Sequence, residues 1–457
     1  MELKGKKILV VGLARTGVAA VPFLFRRGAK VKVSDVKTAA ELAPILAPLQ
    51  GLPVEWELGR HTAPFFTDAD LIVMSPGVPM EIPALQQARA KGIPVISEVE
   101  LAFRFLRRPL IAITGTNGKT TTTTLIGEML RASGKKVFVG GNIGNPLIGY
   151  IEGPQDDEWV VAEISSFQLE AVVEFRPKIS LLLNVTEDHL DRYDSFEAYI
   201  AAKARIFANQ KRVDYALLNA DDPICFRFAQ QMEPQVILFS ARRSVPFGSY
   251  LTPEGIFFQG VNGTRDRYEL GHLKIKGAHN LENLMAAVAV SRMCGCPREI
   301  LQQVMNEFQG IEHRLEWVRR LDGVGYFNDS KGTNVGSVVK SLQSFEEPVV
   351  LIAGGRDKGG DYGPLQEWIR RRVKGMALIG EAKERMFSAL GGLTETAKLG
   401  TLEEAVHWAR SKAQPGDVVL LSPACSSYDM FHNYQERGQR FKEIVWQLKE
   451  GPHTPNA

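Results

Sequence analysis

Cysteine is scarce in this chain. Four occur in 457 residues, Cys225, Cys294, Cys296 and Cys425. Cys294-Gly-Cys296 has no second pair, so neither a disulfide framework nor a zinc pattern is present. The four read as buried thiols in a reducing, cytoplasmic setting. Long apolar runs are missing too. None approaches the roughly 18 residues of a membrane-spanning helix, so no membrane insertion is expected. An excess of one charge is also absent. Lys+Arg 55 against Asp+Glu 52 leaves +3, too little for a nucleic-acid or membrane-surface partner. Arg370-Arg371-Arg372 accordingly reads as a solvated helix face. No low-complexity tract interrupts an ordinary globular composition, and the length allows two to four domains. The start, Met1 to Gly12, is basic, but its apolar run is short and enters a glycine turn; it reads as a first strand rather than a signal peptide.

Two further absences concern single glycines. Strand residues Lys7 to Val11 lead into Gly12-Leu-Ala-Arg15-Thr16-Gly17, an apolar helix to Phe25, Gly28, and a second strand ending at Asp35. This is a Rossmann-like βαβ unit. Its turn has Ala14 where the dinucleotide fingerprint has its middle glycine, which lets a backbone approach pyrophosphate; a nicotinamide cofactor is disfavoured. Asp35 takes either a ribose hydroxyl or the place of a solvated strand end. Strands are also expected over Asp70 to Met74 and Ile93 to Ser97, with a helix from Ile82 to Lys91 between them.

The second missing glycine lies in Ile111-Ala-Ile113-Thr-Gly115-Thr116-Asn117-Gly118-Lys119-Thr120-Thr121. The Walker A pattern has glycine where this chain has Ile113, so the turn is a short G-x-x-G-K-T form. The alternative is an ordinary βα turn with a surface lysine. Strand, two glycines, Lys-Thr and helix in one register favour nucleotide binding. Backbone N–H groups and the helix dipole converge on a phosphate there. Lys119 supplies a point charge, and the Thr120 hydroxyl a Mg²⁺ ligand.

Later strands carry acids and a histidine at their ends. Trp159 to Ile164 holds Glu163 and is followed by Ser165-Ser-Phe-Gln168-Leu-Glu170; Ile179 to Leu183 precedes His189. The carboxyl rim of an open α/β sheet is where ligands bind. The helix Asp194 to Phe207, with Asp194 as expected N-cap and Glu197 at N3, puts Lys203 on the same face as Phe196, Ile200 and Phe207. Such a lysine either snorkels to the surface or is paired, deprotonated or modified. A β-rich stretch runs from about Val213 to Lys276. Asn280, before the apolar helix Leu284 to Met293, is either an N-cap or a base-reading amide. Further strands are expected at Gly325 to Asn328, Val349 to Ala353, Met376 to Ile379 and Val418 to Leu421. Cations recur at their carboxyl ends (Lys331, Arg356 and Lys358), which suits an anionic substrate.

The set Gly115 to Thr121, Glu163, His189, His279-Asn280-x-x-Asn283, His313-Arg314 and Asp329-Ser-Lys331-x-Thr333-Asn334 resembles the motifs of the Mur ligases, across the whole chain. Gly12-Leu-x-x-Thr16-Gly17, Ser75-Pro-Gly77, Ser165-Ser-Phe-Gln168 and Ser422-Pro-Ala-Cys-x-Ser427-x-Asp429 are similar to the branch that adds D-glutamate. The resemblance implies an α/β fold of three domains. A Rossmann-like N-terminal domain (1–98) would precede a P-loop-type ATPase domain (99–310), whose mainly parallel sheet carries a small β-rich part. A Rossmann-like C-terminal domain (311–457) would follow. It implies ATP, two Mg²⁺, the substrates UDP-N-acetylmuramoyl-L-alanine and D-glutamate, and a monomer. Another Mur ligase, adding L-alanine or a diamino acid, or a folylpolyglutamate synthetase-like enzyme is the alternative.

By that resemblance, Gly115, Thr116, Asn117, Gly118, Lys119, Thr120 and Thr121 hold the ATP phosphates. Asn280 or Asn283 reads adenine, and Arg314 and Asp329 clasp the nucleotide. Thr120 and Glu163 bind one Mg²⁺; His189 binds the other, helped by Lys203 as a carbamate. Asn142 touches nucleotide phosphate or the acyl phosphate. Thr16, Asp35, Lys37, Ser75, Gly77 and Gln168 hold the UDP-substrate, and Thr333, Lys358, Ser427 and Tyr434 hold D-glutamate. Lys37 stands where Arg is expected, Tyr434 where Phe is, and Arg15 is bulky beside the UDP turn.

Overall fold

The structure is a computed structural model, and it describes residues 1–189, 192–230, 232–275, 277–357, 359 and 361–450. Its strands form three sheets. The first holds β1 (Lys7–Val11), β2 (Lys30–Asp35), β3 (Glu55–Leu58), β4 (Leu71–Met74) and β5 (Val95–Ser97), all parallel, in the order β3-β2-β1-β4-β5. β1 and β4 are continuous apolar runs because helices cover both sheet faces. The helix after β1, Arg15–Arg26, starts so close to the turn before it that a Cβ on Gly17 would lie 2.0 Å from the Gly12 carbonyl oxygen. Only glycine fits there.

The second sheet follows in chain order as β6 (Leu110–Thr114), β7 (Val137–Gly141), β8 (Trp159–Glu163), β9 (Ile179–Leu182), β10 (Tyr215–Asn219), β11 (Gln235–Ser240), β12 (Gly248–Thr252), β13 (Gly255–Gln259) and β14 (Arg265–Tyr268). Its spatial order is β14-β13-β12-β11-β10-β9-β6-β8-β7. It is parallel from β7 through β12, and β13 and β14 close it as an antiparallel meander. The expected β-rich part is thus an extension of the central sheet rather than a separate layer.

The first two sheets share one apolar core. It runs from Ile8, Val10 and Val21 on to Leu110, Ala112, Val160 and Leu182. The helix Glu98–Phe103, capped by Ser97, connects them. The buried Glu100 carboxylate accepts from the backbone N–H groups of Val173, Glu174 and Phe175 and pairs with Arg104 at 2.7 Å. Residues 1–270 with 283–304 form one compact unit, and 271–282 with 305–457 another.

The second unit is built on β15 (Glu316–Leu321), β16 (Val324–Asn328), β17 (Val349–Gly354), β18 (Val373–Ile379), β19 (Glu395–Lys398) and β20 (Val418–Leu421). Their order is β15-β16-β20-β17-β18-β19, with only β15 antiparallel to its neighbour. Apolar layers cover both faces of this sheet.

Two local expectations change. The helix carrying Lys203 is Phe196–Ala204, and its cap is Ser195, whose Oγ accepts from Ala198 N–H; Asp194 is not the cap. A hydroxyl one residue later reaches the same class of orphan donor. The helix expected from Leu284 begins at Ala278, so Asn280 lies inside it and is no N-cap. All four cysteines are buried and unpaired. Among the described residues no helix is long and apolar enough to cross a membrane.

Candidate functional site

The turn after β6 sits at the carboxyl edge of the central sheet, where β8 and β9 flank β6. Gly118 has φ +85° and caps the helix Lys119–Ala132. A Cβ at that position would lie 2.3 Å from Asn283 Oδ1. Glycine is therefore demanded twice, by backbone angle and by the buried Asn283, which also accepts from Thr122 Oγ1. Asn184, beyond β9, braces the turn. Its carbonyl oxygen accepts from Thr116 N–H, and its amide both accepts from and donates to the Asn117 backbone. Thr121 is buried in the first turn, and its Oγ1 has no partner.

Oxygen ligands gather beside this turn. The two Glu163 carboxylate oxygens accept from Thr120 Oγ1 at 2.8 Å and Asn142 Nδ2 at 2.9 Å. Thr120 comes from the first turn of the helix after β6, Asn142 from just beyond β7 and Glu163 from the end of β8. Such a set, carboxylate with hydroxyl and amide oxygens close by, fits a hard divalent cation.

Lys119 Nζ donates to the carbonyls of Gly115 and Thr116, at 2.9 and 3.0 Å. Lys203 Nζ donates to the same Gly115 carbonyl at 2.9 Å and lies 4.5 Å from the Tyr199 ring centre. Lys203 is 1% exposed, so snorkelling is ruled out. Burial, and then the neighbouring Lys119 charge, push its ammonium well below the usual lysine range. The amine is thereby biased toward its neutral, nucleophilic form. His189 stands at φ +56°, its ring half-exposed, edge-on to Phe167 at 4.8 Å and tilted against Tyr199 at 6.3 Å. Tyr199 thus touches both the lysine and the histidine.

The first domain presents a second turn at its own carboxyl edge. Asp35 is 8% exposed, and its carboxylate accepts from Leu13 N–H at 2.7 Å and Lys37 N–H at 2.9 Å. It is a buried brace of the Gly12 turn, not a solvated strand end. Ser75 Oγ donates to the Gly12 carbonyl at 2.6 Å. Thr16 Oγ1, in the first helical turn, is buried without a partner, as is Gln168 Nε2, whose Oε1 completes a capping box with Ser165. Lys37 and Gly77 are exposed.

In the second unit, Asp329 is 3% exposed, with Oδ2 accepting from Ser341 and Ser422 hydroxyls at 2.7 and 2.6 Å. Burial pushes its carboxyl up against those hydroxyls and the Arg314 charge. Ser427 is buried, Thr333 half-buried, and Tyr434 opens the helix Tyr434–Gln447, its ring edge-on to His313 and 5.5 Å from Lys331 Nζ. Arg356 is exposed. Lys358 lies outside the described residues. Glu312, His313 and Glu316 cluster, but Lys442 Nζ already sits on both carboxylates, at 2.5 and 3.0 Å, which disfavours a cation there.

Profiles of known families match nearly the whole chain: "Mur ligase MurD-like, N-terminal domain" at 6–97, "Mur ligase middle domain" at 113–291 and "Mur ligase, glutamate ligase domain" at 313–425. UDP-N-acetylmuramoylalanine–D-glutamate ligase of Geotalea uraniireducens is 52% identical over 99% of both chains, and that of Geobacter metallireducens 53% identical over 99% of both. The chain belongs to the Mur ligase family. Among solved structures, Thermotoga maritima UDP-N-acetylmuramate–alanine ligase MurC superposes with a TM-score of 0.59 at 20% identity, covering 97% of this chain and 100% of that one. Thermotoga maritima MurF, solved in complex with ADP, gives 0.58 at 15%, covering 98% and 96%. At those identities the likeness is one of fold.

Two arginines of this Mur ligase escaped the sequence reading. Arg192 reaches from the segment after His189 to the Pro76 and Val78 carbonyls. Arg437, 1% exposed, donates to Ser330 Oγ and to the carbonyls of Ser330 and Cys425. Arg437 shares a helix face with Phe441 and Ile444, the same signal that exposed Lys203. Arg192 lies in a loop, where no periodicity could point to it.

Proposed function

We propose that this Mur ligase joins D-glutamate to the L-alanyl carboxylate of UDP-N-acetylmuramoyl-L-alanine, using ATP and Mg²⁺, as a cytoplasmic monomer. The observation that carries the reading is the full-length likeness, at 52–53% identity, to ligases named for that reaction. A carboxylate does not react with an amine until it bears a leaving group. The γ-phosphoryl group of ATP passes to the carboxylate oxygen and ADP leaves. The amine nitrogen then attacks the acyl carbon, the tetrahedral intermediate expels phosphate, and the nitrogen gives up a proton. Positioning and charge neutralisation supply most of the rate.

The phosphates are assigned to the N–H groups of 115–121 with Lys119, and further nucleotide contacts to Asn280, Asn283, Arg314 and Asp329. Of the two asparagines, Asn283 is the one bonded to Thr122 beside the turn. Thr120 and Glu163 would hold one Mg²⁺; His189, with Lys203 as a carbamate, the second. Bound there, the cation would neutralise phosphate charge. Asn142 is assigned to the transferring group, and its bond to Glu163 supports that role. Thr16, Asp35, Lys37, Ser75, Gly77 and Gln168 are assigned to the UDP-substrate. The unpartnered Thr16 Oγ1 and Gln168 Nε2 support two of these. Thr333, Ser427, Tyr434 and Lys358 are assigned to D-glutamate.

Phosphate release from ATP, Mg²⁺ and UDP-N-acetylmuramoyl-L-alanine is expected with D-glutamate and not with L-alanine or a diamino acid. Release with one of those instead would move the enzyme to another branch. Turnover indifferent to any amino acid would remove the ligase reading.

A further inference from the structure

Arg192 follows His189 closely, and its side chain reaches the 76–78 loop. Arg192 N–H and Tyr193 N–H both donate to the His189 carbonyl, at 3.0 and 3.1 Å, so its backbone is tied to the histidine. Its Nη2 donates to the Val78 carbonyl at 2.8 Å and to Glu170 Oε2 at 3.0 Å, while Nη1 reaches the Pro76 carbonyl at 3.5 Å. The guanidinium lies 4.7 Å from the Phe167 ring centre, and that ring meets the His189 imidazole. Arg192 and Glu170 are only 14% and 13% exposed, so this is a largely desolvated pair rather than a surface one. Phe167 and Glu170 flank Gln168. The Pro76–Val78 loop follows Ser75, whose hydroxyl holds the Gly12 turn.

We infer that Arg192 is a positioning residue that locks the UDP-substrate loop of the first domain to the His189 and Gln168 segments of the central domain. The inference rests on the proposed assignment of Ser75, Gly77 and Gln168 to that substrate. The planar fork serves two carbonyls and a carboxylate while its face covers an aromatic ring. A lysine ammonium has three donors but neither the planar fork nor a face to lay on the ring, so it cannot reproduce this set of contacts. Nothing in the chemistry of the bond being made requires Arg192. Its effect is the register between carboxylate and phosphate.

The test uses full-length enzyme with Arg192→Ala and Arg192→Lys. Equilibrium binding of UDP-N-acetylmuramoyl-L-alanine, without ATP or amino acid, is expected to weaken by about tenfold, the usual cost of losing a charged hydrogen bond. KM values for ATP and D-glutamate should stay at parental levels, while the thermal midpoint of Arg192→Ala falls because Glu170 loses its partner. Added guanidinium ion should restore part of the Arg192→Ala loss. Arg192→Lys should behave like the alanine variant. Parental affinity for the UDP-substrate in either variant overturns the inference. So does a parallel rise in all three KM values, which marks a merely structural brace. Should Arg192→Ala not fold, Arg192→Lys decides alone. A parent enzyme that releases no phosphate with D-glutamate overturns the underlying reading instead.

Discussion

Replacing Lys203 by alanine is expected to lower turnover by on the order of 10²–10³-fold, the range seen when one preorganised electrostatic group is lost. Short carboxylic acids such as formate or acetate are expected to return part of the activity. The argument starts from burial. Two lysines, Lys119 and Lys203, donate to one carbonyl, that of Gly115, and Lys203 is fully enclosed. Keeping both as cations is costly in a low-dielectric site. Protonation of Lys203 is disfavoured, which leaves a neutral amine able to add CO₂ with loss of a proton. The product is an anion at the end of a long side chain, in reach of the edge where Tyr199 meets His189. The sign follows for pH. Neutral amine increases with pH, and burial moves that transition below the usual lysine range, so activity at limiting CO₂ should rise with pH and level off once the amine is deprotonated. Phosphate release by Lys203→Ala, with and without added acid, checks this. An unimpaired variant would defeat the role; an impaired variant deaf to every acid would leave Lys203 acting as an amine on the phosphate turn.

Glu163→Gln should be as damaging by a different route. Both carboxylate oxygens are engaged, one by Thr120 Oγ1 and one by Asn142 Nδ2. The amide keeps the size, removes the charge and turns one oxygen into an NH₂ facing a donor. A drop on the order of 10²–10³-fold in kcat is expected, with the Mg²⁺ concentration for half-maximal rate moved upward. A titration of rate against Mg²⁺ checks it. A parental Mg²⁺ dependence in the variant would show that Glu163 holds Asn142 and Thr120 and no cation.

The parallel strands that are short apolar runs ended by glycine or polar clusters could be read in advance, whereas the five strands between 213 and 276 were legible only as one β-rich stretch. Val418 to Leu421 matched to the residue. Edge strands were not legible. Glu55–Leu58 carries two polar side chains in four and Glu395–Lys398 three in four, and what makes them strands is the neighbour they pair with. Within the site, Lys203 was legible from its helical face, and Glu163 from its place at a strand end. The Arg192 contacts were not, because they join segments more than a hundred residues apart through backbone carbonyls, which leave no trace in side-chain pattern.

The apolar core that passes from the first sheet into the second has a consequence for what counts as a module. Sequence motifs divide the chain near residue 98, yet Val99, Leu101 and Ala102 there are wholly buried, and Glu100 is satisfied by backbone of 173–175. Cutting at that point would part the Glu98 carboxylate from Ile148 N–H and Ser97 N–H from the Ala171 carbonyl, and open the shared core on both sides. The first two domains match separate family profiles yet share one apolar core. A first domain grafted from another ligase would have to arrive with an apolar face that fits this chain's 98–103 helix and contacts for Ile148 and Ala171, and matching nucleotide contacts alone would not make it fold.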